Sequence, residues 1–534
     1  MSHSDETNRG EEKGYEALSP FELKDKLIEM AGSDSERQML NAGRGNPNWV
    51  AVNPRSAFFH LGMFALEESE RHSIRPQFGG PPEITGIAGR LHEFTTGKTK
   101  DPGIHLLREA VAYVSDELKL DPDGFVYEMV DAILGDHYPV PDRMLTYSEQ
   151  VVHAYLVQEM CGGNWKQGSF DLFAVEGGTA AMAYIFNSLA EQRLLHKGDK
   201  IALGTPIFTP YLEIPRLNDY ELFELEVKQE EGTGWRYPDS EIQKLADPAV
   251  KAFFLVHPSN PGAVAMHPEA LAAIGKIAHE REDLIILTDD VYGTFVNGFR
   301  SLAAAAPHNT ILVYSFSKYF GATGWRLGVI GIHEDNVFDT RIAALPAATR
   351  AELDKRYSTV VQDPPKMKLI DRLVADSRAV ALHHTAGLST PQQVQMVLMS
   401  LAALVDKKGD YKATAQDIVK KRFESLYEAV GIPAPDDPLG TRYYAIIDVP
   451  ELAASRYDEA FRNYFVKQHE PIDFVWRLAR EKGIVLMDGG GFDAPNMSVR
   501  VSLANLPDDA YATIGKAISD LLDEYHESWK SSGG

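Results

Sequence analysis

The chain has 534 residues, 44% hydrophobic and 24% charged, so it is long enough for two or three domains and has the composition of a globular protein. Its 77 acidic residues against 53 basic ones give a formal net charge of −24, which repels nucleic acid and anionic membrane surfaces and leaves a small molecule as the expected partner. A single cysteine, Cys161, excludes an intrachain disulfide and a thiolate-rich metal site and reads as a small buried hydrophobe.

Residues 1–15 are polar and read as a mobile arm without an apolar leader, and no apolar run reaches membrane-spanning length, so a cytoplasmic location is expected. Residues 16–75, which contain Gly43-Arg44-Gly45-Asn46-Pro47, are expected to join a small domain. Residues 76–392 are expected to form a large domain, interrupted by insertions near 119–145 and 336–378. Within it come six β-branched or aromatic runs: SFDLFAV, KIALG, KAFFLV, LIILTD, TILVYS and LGVIGI. Helical stretches such as TAAMAYIFNSLAEQRLL separate them, the pattern of strands buried on both faces of a mostly parallel sheet. Residues 393–534 carry amphipathic stretches, QQVQMVLMSLAALVDKK and DIVKKRFESLYEAV, and then strand-like YYAIIDV and SVRVSLA. The fold class expected is α/β, with a mostly parallel sheet in the large domain and a smaller α+β domain.

In such sheets ligands bind at the carboxyl ends of the strands, so the residues after each run matter most. After SFDLFAV, Glu176-Gly177-Gly178-Thr179 opens a helix. Glycines there admit close backbone approach and a helix N-terminus attracts an anion, although a plain capped helix start fits the same residues. Thr205-Pro206-Ile207-Phe208 follows KIALG, and His257-Pro258-Ser259-Asn260-Pro261-Gly262 follows KAFFLV. Phe208 fits a core position as well as a binding one. LIILTD ends in Asp289-Asp290-Val291-Tyr292, and TILVYS leads into Ser315-Phe316-Ser317-Lys318. A lysine at a strand end can be shielded from water, which favours an amine able to form an imine. The two serines before it, and Arg326 eight residues after it, could bind a phosphate dianion. Arg500 is the sole charge of its strand-like run, and a guanidinium fork suits a carboxylate.

These motifs, in this order, resemble the class I aminotransferases, which have the PLP-dependent transferase fold of the aspartate-aminotransferase type. The resemblance extends from about Ala42 to Leu522 outside the insertions. It implies pyridoxal 5′-phosphate (PLP) as cofactor, an amino acid as substrate and no metal. It implies that Lys318 attaches the cofactor and moves protons, and that Ser315, Ser317, Arg326, Gly177, Gly178 and Thr179 hold the phosphate. Phe208 would stack on the ring, Asn260 and Tyr292 would meet the phenolic oxygen, and Asp289 would keep the pyridine nitrogen protonated, making the ring an electron sink. Arg500 would take the substrate α-carboxylate, with Asn260 and Gly45 beside it and Arg44 a further candidate. Asp290 rivals Asp289 but is turned away by alternation along the chain, and His257 reads as structural.

The chain departs from the family before Gly103, where Gly97-Lys98-Thr99-Lys100-Asp101-Pro102 lacks the tyrosine that reaches a neighbouring subunit's phosphate. Tyr138 is the candidate substitute. Arg378, His383 and His384 fall where partner contacts lie in the family, and read here as a solvated face. The insertions, with GRGNPNW, GDHYPVPDRM, PIFTPYLEIP and SFSKYFGATGWRLG, are similar to the aspartate 4-decarboxylases of that family. That similarity implies β-decarboxylation of L-aspartate to L-alanine and carbon dioxide through a ketimine intermediate, minor aspartate aminotransferase activity, and a homododecamer built from dimers. An aspartate or aromatic aminotransferase without decarboxylase activity uses the same motifs. A PLP-binding transcriptional regulator needs a basic DNA-binding module, for which the N-terminal segment has no room.

Overall fold

The computed structural model describes residues 12–16, 18–32, 39–98, 100–163, 169–217, 223–228, 235–378 and 387–533. A short strand, β1 (Leu40–Asn41), precedes the central sheet. That sheet comprises β2 (Phe170–Val175), β3 (Lys200–Thr205), β4 (Phe223–Lys228), β5 (Val250–Val256), β6 (Ile285–Asp289), β7 (Thr310–Ser315) and β8 (Gly328–His333). Its order is β2-β8-β7-β6-β5-β3-β4. The pairs from β4 through β7 are parallel, and β8 runs antiparallel to both its neighbours. All six runs picked out above form strands of this sheet. Every residue of β6, β7 and β8 is buried, which is why each reads as a continuous apolar stretch. The seventh strand, β4, escapes that signal because FELEVK alternates charge with apolar residues, as suits a strand at the edge of a sheet.

The smaller sheet is antiparallel, in the order β11 (Met487–Asp488), β12 (Ser498–Ser502), β9 (Tyr444–Asp448), while β1 pairs in parallel with β10 (Ile484–Val485). Around it pack helices Pro20–Ala31, Asp473–Lys482 and Asp508–Ser531, with a core that includes Leu27, Trp476 and Ile518. Residues 12–16, with 12–15 expected in the arm, are helical, and Tyr15 packs against this core.

Two expected divisions of the chain differ from the packing. Helix Val52–Arg71, expected with the small domain, places Ala57, Leu61, Phe64 and Ala65 in the larger core against helices Pro102–Asp116, Pro122–Leu134 and Thr390–Val405. Those four residues form one helical stripe, and a stripe must be covered by whatever lies beside it, wherever the chain came from. Helix Thr390–Val405, expected to open the small domain, also lies in the larger core. Val394, Met396, Val397, Leu398, Met399 and Leu401 are buried around its whole circumference, the mark of a central helix. The crossing is made by helix Asp410–Val430, whose Ala415 and Val419 join the larger core and whose Phe423, Leu426 and Val430 join the smaller.

The stretch 119–145 contributes the core helix Pro122–Leu134, capped by the Asp121 side chain. Near the end of the stretch 336–378, Asp376 accepts the Ser188 hydroxyl at 2.7 Å and the Gln192 amide at 3.0 Å. It thereby holds the far end of helix Gly178–Glu191, whose near end opens beside the motifs. Among the described residues, no helix is long and apolar enough to cross a membrane.

Candidate active site

Parallel strands end together, so the residues following β3, β5, β6 and β7 gather at one edge of the central sheet. There a cleft of about 360 Å³ is lined by Gly178, Thr179, Phe208, Asn260, Asp289, Tyr292, Ser315, Ser317, Lys318 and Arg326. Gly43 to Asn46 cross it as a strap, and the smaller sheet closes it with Tyr444 and Arg500. A larger surface concavity of about 830 Å³, near Val52, His105 and Tyr411, is lined by none of the candidate cofactor- or substrate-binding residues.

Asp289 ends β6 and is buried. Its Oδ2 accepts the Tyr211 hydroxyl at 2.6 Å and its Oδ1 accepts the Val291 N–H at 3.2 Å. Burial pushes its pKa up to about 6, opposed by those two hydrogen bonds and by the nearby Lys318 charge. Asp290 points away from the cleft, accepts the Thr288 hydroxyl, and is pushed up to about 8 by burial. The alternation read from sequence therefore holds. His257 accepts the Met266 N–H at 2.8 Å and its pKa is driven down to about 3 by complete burial. Cys161 is buried.

Lys318 follows β7, the neighbour of β6, and its Nζ donates to the Gly45 carbonyl at 3.2 Å. The Tyr443 hydroxyl donates to the same oxygen at 2.8 Å. A side chain at Gly45 would collide with the Tyr444 hydroxyl, so only glycine lets the strap pass this close. Ser315 donates to Ser317 at 2.8 Å. The turn between them and Arg326 is fixed by Phe316 N to Leu327 O and Ala322 N to Ser317 O, each 3.0 Å.

The opposite end of the cleft is built for an anion. Helix Gly178–Glu191 starts without a capping side chain, so its first N–H groups are not spent on one. Gly177 has φ 91°, and a Cβ there would run into the Arg326 guanidinium. Arg326 is anchored to the Glu176 carbonyl at 3.1 Å and to the Thr323 carbonyl at 2.9 Å. The glycine and the arginine thus occupy one space between them.

Arg500 lies in the middle of β12, paired with Ile446 and Met487 across the small sheet. It is 3% exposed and is stacked between the Tyr444 ring at 4.5 Å and the Phe492 ring at 4.6 Å. Its Nη2 donates to Gly43 O at 2.8 Å and its Nη1 to Asn260 Oδ1 at 3.3 Å. Its buried Nε has no hydrogen-bond partner among the described residues. A buried guanidinium with no carboxylate among these contacts suits an incoming anion.

Tyr211, Tyr444 and Lys24 line the cleft and are missing from the sequence reading. Tyr444 left no local signal, because its ring comes beside Arg500 only through the pairing of β9 with β12. It meets the Tyr292 hydroxyl at 2.8 Å. Tyr138 is 65% exposed and lies outside the cleft, whereas Arg44 is exposed at its mouth. Arg378, expected on a solvated face, is instead buried and ion-paired to Asp142 at 3.2 Å. The charged, proline-rich run around it conceals that burial. His383 and His384 lie outside the described residues.

Residues 174–518 match the family model of aminotransferase class I and II. Over 519 residues, 97% of this chain and 98% of the relative, the sequence is 52% identical to a Pseudomonas sp protein named bifunctional aspartate aminotransferase and L-aspartate beta-decarboxylase. The chain belongs to the class I and II aminotransferase family. Nicotianamine aminotransferase A of Hordeum vulgare is 22% identical over 354 residues, 65% of each chain. Among solved structures, aspartate aminotransferase from Thermus thermophilus with maleate matches at TM-score 0.55 and 17% identity, covering 94% of this chain and 96% of that one. The aromatic aminotransferase of Pyrococcus horikoshii OT3 matches at TM-score 0.57 and 16% identity, covering 93% and 99%. These likenesses establish the aspartate-aminotransferase fold.

The cleft fits the phosphorylated pyridine that this family's motifs imply. An uncapped helix N-terminus, Arg326 and two serines can receive a phosphate, Lys318 offers an amine, and Asp289 offers a buried carboxylate. Phe208 lines the cleft and is held edge-to-face by Tyr211, with ring centroids 5.3 Å apart.

Proposed function

We propose that this chain is a PLP-dependent aspartate 4-decarboxylase, converting L-aspartate and a proton to L-alanine and carbon dioxide, with minor aspartate aminotransferase activity. The observation that carries the proposal is the whole-length similarity to the bifunctional Pseudomonas protein. The cleft supplies a place for each chemical role. Bound PLP supplies a carbonyl carbon for the substrate amine and a protonated ring that accepts electron pairs.

In this reading the substrate α-carboxylate docks on Arg500, whose fork is already oriented by Gly43 and Asn260. Lys318 is the attachment point of the cofactor and, once its amine is free, the base that takes the α-proton and later returns protons. The Gly45 carbonyl, 3.2 Å from Nζ, holds that free amine inside the cleft. Asp289 would hold the ring nitrogen through its carboxylate, and Tyr292 and Asn260 would serve the phenolic oxygen. Ser315, Ser317, Arg326, Gly177, Gly178 and Thr179 hold the phosphate.

The chain is proposed to assemble from dimers into a homododecamer. Exposed Phe59, Met63 and Leu66 on one face of helix Val52–Arg71, with Phe78 nearby in sequence, support self-association.

The carboxylate assignment is tested by Asp289→Ala. The variant is expected to bind PLP more weakly and to remove the α-proton of [2-²H]aspartate about 10²-fold or more slowly, because an unprotonated ring withdraws electrons poorly. An unchanged washout rate would remove Asp289 from the mechanism. Titrating the dialysed chain with PLP tests the cofactor directly, with a near-visible absorption band and restored turnover expected to saturate together.

A further inference from the structure

Tyr211 lies where three parts of the cleft meet. It stands three residues after Phe208 and packs its ring against both Phe208, at 5.3 Å, and Phe254, at 5.0 Å. Its hydroxyl donates to Asp289 Oδ2 at 2.6 Å. A Cβ on Gly178 would sit 3.4 Å from that hydroxyl and 3.6 Å from the same carboxylate oxygen, so the start of the anion-binding helix closes over the pair. The direction of the hydrogen bond follows from burial and charge. An ionised carboxylate can only accept, and the Tyr211 hydroxyl, wholly buried beside Asp289, is held protonated by desolvation and by the carboxylate charge.

We propose that Tyr211 is the positioning residue that keeps Asp289 ionised and turned toward the cleft, and so sets the pH range over which the ring nitrogen of the bound cofactor stays protonated. The inference rests on the PLP reading above for its second half only. Asp289 is buried, and burial alone favours the neutral acid, so its charge must be kept by donors. Among the described residues two donors reach it, the Tyr211 hydroxyl on Oδ2 and the Val291 N–H on Oδ1. The remaining charged or titratable neighbours among the described residues are Lys318, which stabilises the anion, and Asp290, a like charge when ionised. Tyr211 is the removable donor. It also fixes the rotation of the carboxylate, leaving the other lone pairs free for a cationic N–H.

Tyr211→Phe deletes one oxygen and keeps the ring contacts with Phe208 and Phe254. The Asp289 titration is read in the full chain without cofactor, from the carboxylic acid carbonyl band in infrared difference spectra, with Asp289→Asn as the blank. The midpoint in Tyr211→Phe is expected to rise by about one to two pH units, since a buried hydrogen bond to a charged group has been lost. Tyr211→Met also lacks the hydroxyl and fills the space flexibly, and must give a shift of the same sign. In the loaded variants, the ¹⁵N resonance of nitrogen-labelled PLP is expected to move toward the unprotonated position. A merely structural role would lower the melting temperature and leave the midpoint in place, and an unmoved midpoint in both variants overturns the inference. Failure of the wild-type chain to bind PLP would instead overturn the cofactor reading, a separate result.

Discussion

Lys318→Ala is expected to lower aspartate turnover by about 10⁴-fold or more and to abolish the near-visible absorption band of the attached cofactor. The size of the effect follows from the geometry. Among the described residues the cleft is lined by two lysines, Lys318 and Lys24, and Lys318 is the one whose Nζ meets the strap's Gly45 carbonyl. Deleting it removes the attachment point and the proton carrier together. Cofactor held by its phosphate and ring contacts should remain detectable by dialysis, which separates loss of chemistry from loss of binding. Turnover near the wild-type rate would assign both roles elsewhere.

Arg500→Lys is expected to lower kcat/KM for L-aspartate by about 10²- to 10³-fold while leaving the cofactor absorption band in place. The substitution keeps the charge, so the loss measures geometry. The guanidinium carbon lies 4.5 Å from the Tyr444 ring and 4.6 Å from the Phe492 ring, and its two terminal nitrogens are aimed by Gly43 O and Asn260 Oδ1. An ammonium is a point charge that cannot fill that slot or present two parallel donors. Steady-state kinetics on L-aspartate, alongside absorbance of the unreacted enzyme, provides the measurement. A variant with normal kcat/KM would remove the carboxylate role from Arg500.

Six strands of the central sheet are legible because burial makes them nearly continuous apolar runs, and most of the motif residues are legible because each follows such a strand. What escapes is set by contacts between distant segments. Tyr211 and Asp289 are 78 residues apart, and Tyr292 and Tyr444 are 152 apart, and nothing local in either segment announces the partner. The packing of two helices across the expected divisions escapes for the same reason. The apolar stripe of helix Val52–Arg71 says that something covers it, and only the fold says that helices Pro102–Asp116 and Thr390–Val405 do. Arg378 reads as solvated because charged neighbours in sequence resemble an exposed run, whereas its partner Asp142 is 236 residues earlier.

The central claim, decarboxylation on an aminotransferase scaffold, is tested by incubating the PLP-loaded chain with L-aspartate and no added keto acid. Malate dehydrogenase and NADH trap any oxaloacetate as it forms. Alanine and carbon dioxide are expected to accumulate in equal amounts through many turnovers per active site, with malate a minor product. A reaction that stops at one equivalent of malate per active site, with no alanine, would contradict the account and leave a plain aminotransferase.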